Sequence, residues 1–434
     1  MAYGMHGAGW ALGRFIFSPL VAADCDSSYA ERQSSKLPLM PAWTRYSTWY
    51  HIFLDRFAGV DPALRDRWDE PIFLGGNLQG VQAALPYLQD LGVDVVWLSP
   101  FFETVAYHGY HVTDFLAVDP RFGREADLRA LVAAAHAADM RVIMDFVPNH
   151  CHEDHPFFRA AQAGDAAYRP WFFWDEQGQH LGYQDYRNMP KVNLDYEPAR
   201  QHFLDAARHW LDMGIDGLRL DYAIGPSFDF WAAFRDAIKP DYPEVLLVGE
   251  VWLEKVLMRD LPQVHIRRTY WRWAEGHIPK ADLQRDHIGL LDGVLDFHAR
   301  DLLADRLAPG GANAAEVARL LAAHQASYPA DYCLPVFLDN HDINRYLFDA
   351  DGDRAKLQAA IELQMQQPQP AIVYYGSEVG LSQTQSVWRA VPYADLEARR
   401  PFPWDEAAQD RALHAFVREA IARRRTQREA LPKQ

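Results

Sequence analysis

Short apolar segments recur along the chain and alternate with longer amphipathic segments. The apolar segments are near-continuous hydrophobic runs, as is typical of parallel strands that are buried on both faces. Between them are stretches whose apolar residues are spaced close to 3.6 residues apart, which predicts helices over residues 126–138, 199–213 and 228–238. The predicted strands are residues 49–54, 93–99, 141–147, 215–221, 245–251, 290–297, 334–338 and 371–375.

Strands that alternate with helices indicate βαβ units, and eight such units predict a closed (β/α)8 TIM barrel of the α/β class. A doubly wound open sheet with extra strands is the alternative. We assign residues 45–150 and 196–430 to the barrel, with a last helix predicted over residues 407–424. The 151–195 segment lies in the longest interval between strands and is rich in aromatic residues and turn formers, which predicts a small excursion domain on the side that carries the active site.

Residues 1–44 differ in composition from the rest of the chain. They are rich in glycine at the start and contain a short apolar stretch, residues 15–23, that loosely resembles a signal peptide. Pro19 interrupts that stretch and few basic residues precede it. The segment is therefore interpreted as a leader or as a cover over one end of the barrel, with an export signal as the alternative.

Composition and charge limit the classes of partner. The chain has 434 residues, a formal net charge of −16 and 49% hydrophobic residues, and no apolar run approaches the ~20 residues of a membrane helix. Negative charge disfavours a nucleic-acid partner. Cys25, Cys151 and Cys333 are far apart and odd in number, which predicts free thiols and a cytoplasmic location, with a secreted or periplasmic location as the alternative.

Polar side chains cluster at the carboxyl ends of four predicted strands. The third strand ends in DFVPNH (145–150), the fourth in GLRLD (217–221), the fifth in GEVW (249–252) and the seventh in LDNHD (338–342). A charged group at the end of a buried strand is costly unless it is paired or functional. In a barrel, this edge carries the catalytic residues.

Carboxylates from adjacent strands can face each other across the barrel mouth, and glycoside hydrolysis uses such a pair. One carboxylate attacks the anomeric carbon, while the other protonates the leaving oxygen and later deprotonates water. A retaining enzyme needs the two groups about 5–5.5 Å apart, which neighbouring strands can supply. Arg219 lies two residues before Asp221, so we expect it on the same side of the strand, keeping Asp221 ionised and in position.

At these residues the chain resembles the α-amylase family, glycoside hydrolase family 13. The four segments above and YHGYHVTDFLAVDPRFG (107–123) are similar, in order, to the conserved segments of that family, and the resemblance covers roughly residues 45–425. It implies that Asp221 is the nucleophile, Glu250 the proton donor and Asp342 the carboxylate that holds sugar hydroxyls. The substrate-binding residues that it implies are Tyr110, Asp145, His150, Arg219 and His341.

A further segment, MPKVN (189–193), resembles the form found in cyclomaltodextrinases, neopullulanases and maltogenic amylases. The resemblance implies an α-glucan oligosaccharide as substrate and a domain B at 151–195. The N-terminal and C-terminal β domains usual in this group are expected to be absent, and the oligomeric state is left open. No cofactor is expected to be required. Asn149 matches a calcium ligand of many α-amylases, but the six to eight oxygens that calcium needs are not identified in the sequence, so calcium is left open and is not predicted.

Three functions are compatible with this sequence. The first is hydrolysis of α-1,4-glucosidic bonds in maltooligosaccharides, cyclodextrins or related α-glucans through a covalent glycosyl-enzyme. The second is glucosyl or glucan transfer, in which a sugar instead of water captures the same intermediate. The third is a non-catalytic barrel that acts as a binding subunit, which the presence of all three carboxylates disfavours.

Overall fold

Eight parallel strands form one curled sheet in the computed structural model, which describes residues 40–184, 186–252, 280–309 and 313–430. The strands are β1 Thr48–Ile52, β2 Val95–Leu98, β3 Arg141–Phe146, β4 Gly217–Leu220, β5 Leu246–Gly249, β6 Gly293–Val294, β7 Val336–Phe337 and β8 Ala371–Tyr374. Each strand falls inside or within one residue of a segment predicted from the sequence. The order of neighbouring strands is β6-β5-β4-β3-β2-β1-β8-β7.

The two ends of this order are joined by a short contact, which we call the seam. Gly293 in β6 pairs in parallel with Cys333, three residues before β7. The Val294 N–H donates to the Cys333 carbonyl at 3.0 Å, and the Cys333 N–H donates to the Asp292 carbonyl at 2.9 Å. A Cβ atom on Gly293 would lie 2.0 Å from the Cys333 carbonyl oxygen, so only glycine permits this approach. An eight-stranded parallel sheet with its ends joined in this way is consistent with the predicted (β/α)8 barrel.

Alternate residues of the strands divide the core into two parts. One hydrophobic cluster contains Trp49, Trp97, Ile143 and Val248. The residues between them, such as Val96, belong to a larger cluster that includes the apolar faces of the helices. The first cluster shares its face of the sheet with Asp145 and Arg219, because these residues are two positions further along β3 and β4 than Ile143 and Gly217.

Helices connect the strands and cover the sheet. The first long helix, Leu78–Leu91, is capped at its start by Asn77, whose side chain accepts the Gly80 N–H. It is capped at its end by Gly92, which has a φ of 95°. The predicted helices agree with the observed ones within two residues, except the last, which was placed too early because Asp410 caps it and Glu406–Ala408 form a separate turn. The long helices are Leu78–Leu91, Glu125–Ala137, Glu197–Leu211, Phe228–Ile238, Ala314–Gln325, Arg354–Met365 and Arg411–Glu429.

The sixth and seventh predicted strands were too long. Only two residues of each pair in the sheet. After β6, Asp296 accepts the Ala299 N–H and starts the helix Phe297–Asp301, so the apolar run at 290–297 is divided between a strand and a helix. Continuous hydrophobicity alone does not separate these two elements.

Two antiparallel hairpins stand on the carboxyl side of the sheet. One, Phe102–Thr104 with Val112–Val118, follows β2 and was not predicted. The other, Gly182–Tyr183 with Tyr186–Pro190, lies in the 151–195 segment after a helix at Pro156–Gln162. The bridge from His150 to Lys191 and a hydrogen bond from the Val192 N–H to the Asn149 carbonyl hold this segment at the end of β3, and the bridge from Phe172 to Val192 lies within the segment.

Of the predicted leader or cover segment, residues 1–44, the first 39 residues, including Cys25, lie outside the described residues, whereas Ala42–Thr44 form a 3-10 helix. Cys151 and Cys333 are buried free thiols. Among the helices of the described ranges, none is both long and apolar enough to cross a membrane.

Candidate active site

The strand register brings the predicted polar residues to one end of the sheet. Asp145 in β3 is the register partner of Arg219 in β4, and Arg219 is the register partner of Val248 in β5. Asp221 and Glu250 directly follow β4 and β5. The sequence thus places three carboxylates around one arginine.

The buried Arg219 guanidinium joins these carboxylates. Its Nη1 donates to Asp145 and, at 2.9 Å, to Asp221 Oδ1, and its Nη2 lies 2.7 Å from Glu250 Oε1. Arg219 and Asp221 therefore share a side of the strand, as their spacing predicted. Since one guanidinium spans the carboxylates of Asp221 and Glu250, the two groups are close neighbours at the mouth of the barrel.

The charges in this cluster do not balance. Burial raises the pKa of Asp221, the carboxylates of Glu250 and Asp145 raise it further, and Arg219 opposes them. Burial likewise raises the pKa of Asp145, again against Arg219. One positive charge among three carboxyl groups in a buried site favours retention of a proton by the cluster.

Glu250 receives two further hydrogen bonds. The Tyr222 N–H donates to Oε2 at 3.0 Å, and Trp252 Nε1 donates to Oε1 at 3.1 Å. Tyr222 has a φ of 44°, a left-handed conformation that is unfavourable for a tyrosine. This conformation occurs at the residue immediately after Asp221, where the backbone turns its N–H towards Glu250.

Asp342 lies on the other side of the site, after β7. Its Oδ2 is 3.0 Å from His341 Nε2, and its Oδ1 accepts a hydrogen bond of 3.0 Å from Arg399 Nη2. Burial acts to raise the pKa of Asp342, but His341 and Arg399 outweigh it and hold the pKa well below its usual range. Asp342 is therefore held ionised by its neighbours, whereas at Asp221 the expected effect of Arg219 opposes, without outweighing, the burial and the carboxylates that raise its pKa.

Arg399 is fixed by several partners. Its Nη1 donates to the Tyr107 hydroxyl at 3.0 Å, its Nε donates to the His341 carbonyl at 2.8 Å, and it pairs with Asp395. The side chain is 7% exposed. A buried arginine held by four groups is a rigid support for Asp342.

Tyr110 links the two halves of the site. Its hydroxyl donates to Asp145 Oδ2 at 3.0 Å and lies 2.8 Å from His341 Nε2, and its ring stacks on His341 with centroids 5.4 Å apart. His150 packs against Tyr183 of the 151–195 segment at 4.7 Å, and burial lowers the pKa of His150 to about 3. His150 Nε2 and His341 Nδ1 are buried without a hydrogen-bond partner. Such atoms are suited to bind hydroxyl groups of a ligand.

A lysine ammonium lies beside the position that resembles a calcium ligand. Lys191 is 2% exposed, and its Nζ donates to the Gly225 carbonyl at 3.0 Å. Gly225 is in close contact with Asn149, because a Cβ atom on it would lie 2.1 Å from Asn149 Oδ1. Asn149 Oδ1 is itself buried without a hydrogen-bond partner, but a divalent cation there would be repelled by this neighbouring ammonium group, which makes the position a poor fit for calcium. The described residues also lack any cluster of three or more His, Cys, Asp or Glu side chains suited to a metal.

Sequence reasoning missed several residues of this site. Arg399 lies among other arginines after β8, where the sequence does not distinguish a buried guanidinium from an exposed one. Tyr107 lies in the 107–123 segment and Trp252 in the 249–252 segment, both of which resemble the family, but the sequence alone does not predict the contacts of their side chains. The Tyr222 N–H could not have been found, since its contribution depends on a backbone conformation.

Several known proteins are similar to this chain in sequence and fold. Residues 51–182 match the family model described as alpha amylase, catalytic domain. The chain is 31% identical over 388 residues to Alpha-amylase 2 of Dictyoglomus thermophilum and 30% identical over 417 residues to Neopullulanase 2 of Thermoactinomyces vulgaris. These alignments cover 89% and 91% of this chain, and the chain spans 64% and 65% of the lengths of these two relatives.

A solved structure is also similar. It is the cyclic alpha-maltosyl-(1→6)-maltose hydrolase from Arthrobacter globiformis in complex with maltose, which is 30% identical with a TM-score of 0.72, over 89% of this chain and 85% of that chain. Other relatives bear the names cyclomaltodextrinase and intracellular maltogenic amylase, as the resemblance of the 189–193 segment predicted. The chain belongs to the α-amylase family, glycoside hydrolase family 13.

Proposed function

We propose that this protein is a retaining glycoside hydrolase that cleaves α-1,4-glucosidic bonds in maltooligosaccharides, cyclodextrins or related α-glucans. The observation that carries the proposal is the Arg219 guanidinium, which hydrogen-bonds to Asp221 through Nη1 and forms an ion pair with Glu250 through Nη2. This favours the short separation of about 5–5.5 Å used for double displacement over the wider spacing of inverting enzymes.

In the first step, an Asp221 oxygen attacks the anomeric carbon while Glu250 gives its proton to the glycosidic oxygen. The bond between the anomeric carbon and that oxygen breaks, the leaving sugar departs with the proton, and a glycosyl ester forms on Asp221. The step needs one proton and one ionised carboxylate. A cluster of three carboxyl groups around one guanidinium supplies both.

In the second step, Glu250 removes a proton from water, and the water oxygen attacks the anomeric carbon. Asp221 leaves as a carboxylate, and Arg219 Nη1, 2.9 Å from its Oδ1, stabilises the returning charge. Two inversions at the same carbon give net retention of the α configuration.

Asp342 is proposed to bind hydroxyl groups of the sugar that reacts. Its low pKa keeps it an acceptor at neutral pH. His341 and His150 would donate or accept through the ring nitrogens that lack partners within the protein. Tyr110 would present its ring beneath the same sugar, since its hydroxyl is held by Asp145 and its ring by His341.

The names of the relatives support an oligosaccharide or cyclic α-glucan as substrate. We assign the 151–195 segment as domain B, since it follows β3 and brings Tyr183 to His150. Transfer to a sugar acceptor is the second candidate, and the exposed indole of Trp388, next to the Trp252 that contacts Glu250, favours it. We further propose that catalysis requires no metal at Asn149, because Lys191 supplies positive charge nearby. The buried free thiols of Cys151 and Cys333 support a cytoplasmic location for the protein, which we also propose.

Product analysis tests the proposal. The protein is incubated separately with maltotriose, β-cyclodextrin, pullulan, soluble starch and sucrose, and products are followed by chromatography and by NMR of the first-formed anomer. Glucose and maltose released in the α configuration are expected, faster from maltotriose or β-cyclodextrin than from starch. First-formed β product, or no product from a folded protein with any of these sugars, would reject a retaining α-glucanase; products longer than the starting sugar would favour transfer.

A further inference from the structure

The described residues include an exposed indole at the entrance to the site. Trp388 lies in the 382–393 loop after β8, and half of its surface is exposed. Its ring centroid is 6.4 Å from that of Trp252, and the two rings are inclined by 70°. We call this pair the aromatic corner.

The aromatic corner is tied directly to Glu250. Trp252 Nε1 donates to Glu250 Oε1 at 3.1 Å, and the Trp252 ring stacks on Phe297 with centroids 4.7 Å apart. Trp252 is thus fixed by one hydrogen bond and one ring contact, and Trp388 continues the aromatic surface outward from it.

The loop that carries Trp388 is held by the segment that carries Asp342. Asn344 Oδ1 accepts hydrogen bonds from Gln383 Nε2 at 2.8 Å and from the Val387 N–H at 2.9 Å. Gln383 Oε1 accepts the Arg345 N–H at 2.6 Å. These bonds are buried, so the position of Trp388 relative to the carboxylates is set by the fold. Large apolar side chains that are held in place yet exposed mark binding surfaces.

The general acid identifies which part of the substrate meets this surface. Glu250 must reach the oxygen between the two sugars, and that oxygen leaves with the reducing-end portion. A group that extends outward from Glu250 therefore faces the leaving sugars and not the sugar attached to Asp221. The apolar C–H face of a pyranose packs well on an indole, which offers a large area and loses little side-chain entropy.

On the basis of the proposed function, we propose that Trp388 is a binding platform for the leaving-group glucose residues and for a sugar acceptor that replaces them. It is a specificity-determining residue and takes no part in proton transfer. Contacts on this side raise the rate for substrates that have sugars beyond the cleaved bond, and they retain an acceptor long enough to compete with water.

Two substrates with the same glycone separate this role from catalysis. When a maltosyl group is transferred from maltotetraose, the leaving group is a sugar. When it is transferred from α-maltosyl fluoride, the leaving group is fluoride, which makes no contact with the protein beyond the cleaved bond. In Trp388→Ala, kcat/KM for maltotetraose should fall roughly tenfold, the size expected for an aromatic contact of about 1.4 kcal/mol. For α-maltosyl fluoride, kcat/KM of the same variant should change less than twofold. The yield of transfer products with added maltose should fall. Trp388→Phe should restore most of the loss in kcat/KM for maltotetraose and most of the loss in transfer yield.

Val391→Ala is the matched control, because Val391 is about equally exposed in the same loop, and it should leave both substrates unchanged. Trp388→Gln serves as a second variant if the alanine variant is unstable in thermal unfolding. Equal losses on the two substrates, or no loss on either, would overturn the role of Trp388. A wild-type protein that cleaves neither substrate would instead overturn the proposed function.

Discussion

Asp221 and Asp342 should affect stability with opposite signs when each is replaced by asparagine. Burial and neighbouring carboxylates raise the pKa of Asp221, so ionising it at neutral pH costs the folded state free energy. His341 and Arg399 lower the pKa of Asp342, so its ionised form stabilises the folded state. Asp221→Asn should therefore stabilise the protein at pH 7, and Asp342→Asn should destabilise it.

The magnitude follows from the contacts of the cluster. With an effective dielectric constant of 20, the attraction between Asp221 and Arg219 is about 4 kcal/mol at a charge separation of about 4 Å, and each repulsion, from Glu250 and from Asp145, is about 3 kcal/mol at about 5 Å. These three interactions alone make the ionised nucleophile about 2 kcal/mol unfavourable, and burial acts in the same direction. For a domain of this size, that corresponds to a rise in Tm of about 2–3 °C in Asp221→Asn.

The assay is thermal and denaturant unfolding of wild type and both variants between pH 4 and pH 8. For Asp221 the difference should be near zero below the unfolded pKa, about 3.9, should grow as pH rises from there towards the raised folded pKa, and should level off above it. For Asp342 the loss should be present above pH 4 and should shrink as pH falls. If Asp221→Asn is no more stable than the wild type at pH 7, the Arg219 guanidinium balances the charges of the surrounding carboxylates, and the predicted charge imbalance is wrong.

Three further expectations concern single contacts. Glu250→Gln should abolish turnover of maltotriose but keep its binding, as measured by calorimetry; turnover close to that of wild type would remove Glu250 from its role. Arg399→Met should lower kcat/KM by about 10- to 100-fold, because a buried hydrogen bond to a charged group contributes about 1.5–3 kcal/mol, whereas Arg399→Lys should recover part of this; unchanged kcat/KM in a folded variant would contradict the support of Asp342. EDTA should change neither the activity nor the Tm of the wild type, and a calcium-dependent rise in Tm would contradict the absence of a metal beside Asn149. Lys191→Met should lower the free energy of unfolding by about 1–3 kcal/mol, because the Gly225 carbonyl loses its hydrogen-bond donor.

The sequence was sufficient for the fold where hydrophobic periodicity decides the structure. Parallel strands buried on both faces give unbroken apolar runs, so all eight were found. The short β6 was drawn too long because the strand and the start of the next helix are equally apolar, and the boundary is set by a cap, Asp296, that a hydrophobic pattern does not register.

The residues of the candidate site also fall into two groups, those that the sequence predicts and those that only the structure identifies. Residues on the strands followed from the strand register, as with Asp145 and Arg219. Arg399 and Trp388 lie far along the chain in a loop, and their places depend on hydrogen bonds to the segment after β7. Long-range contacts of loop residues are not written in a local pattern, which is why these two residues emerged only with the structure.

The seam has a consequence for the hydrogen exchange of the sheet. From β8 through β1 to β5, four residue pairs join each strand to the next, and two pairs join β6 to β5 and β7 to β8, whereas Gly293 and Cys333 form a single bridge. Local opening should therefore begin here, with the amides of Val294 and Cys333 exchanging with deuterium before that of Val96. Because Glu250 and Asp342 follow strands on opposite sides of the seam, the slowest-exchanging part of the sheet is the part that carries Asp145, Arg219 and Asp221, and the nucleophile stays in its most protected region.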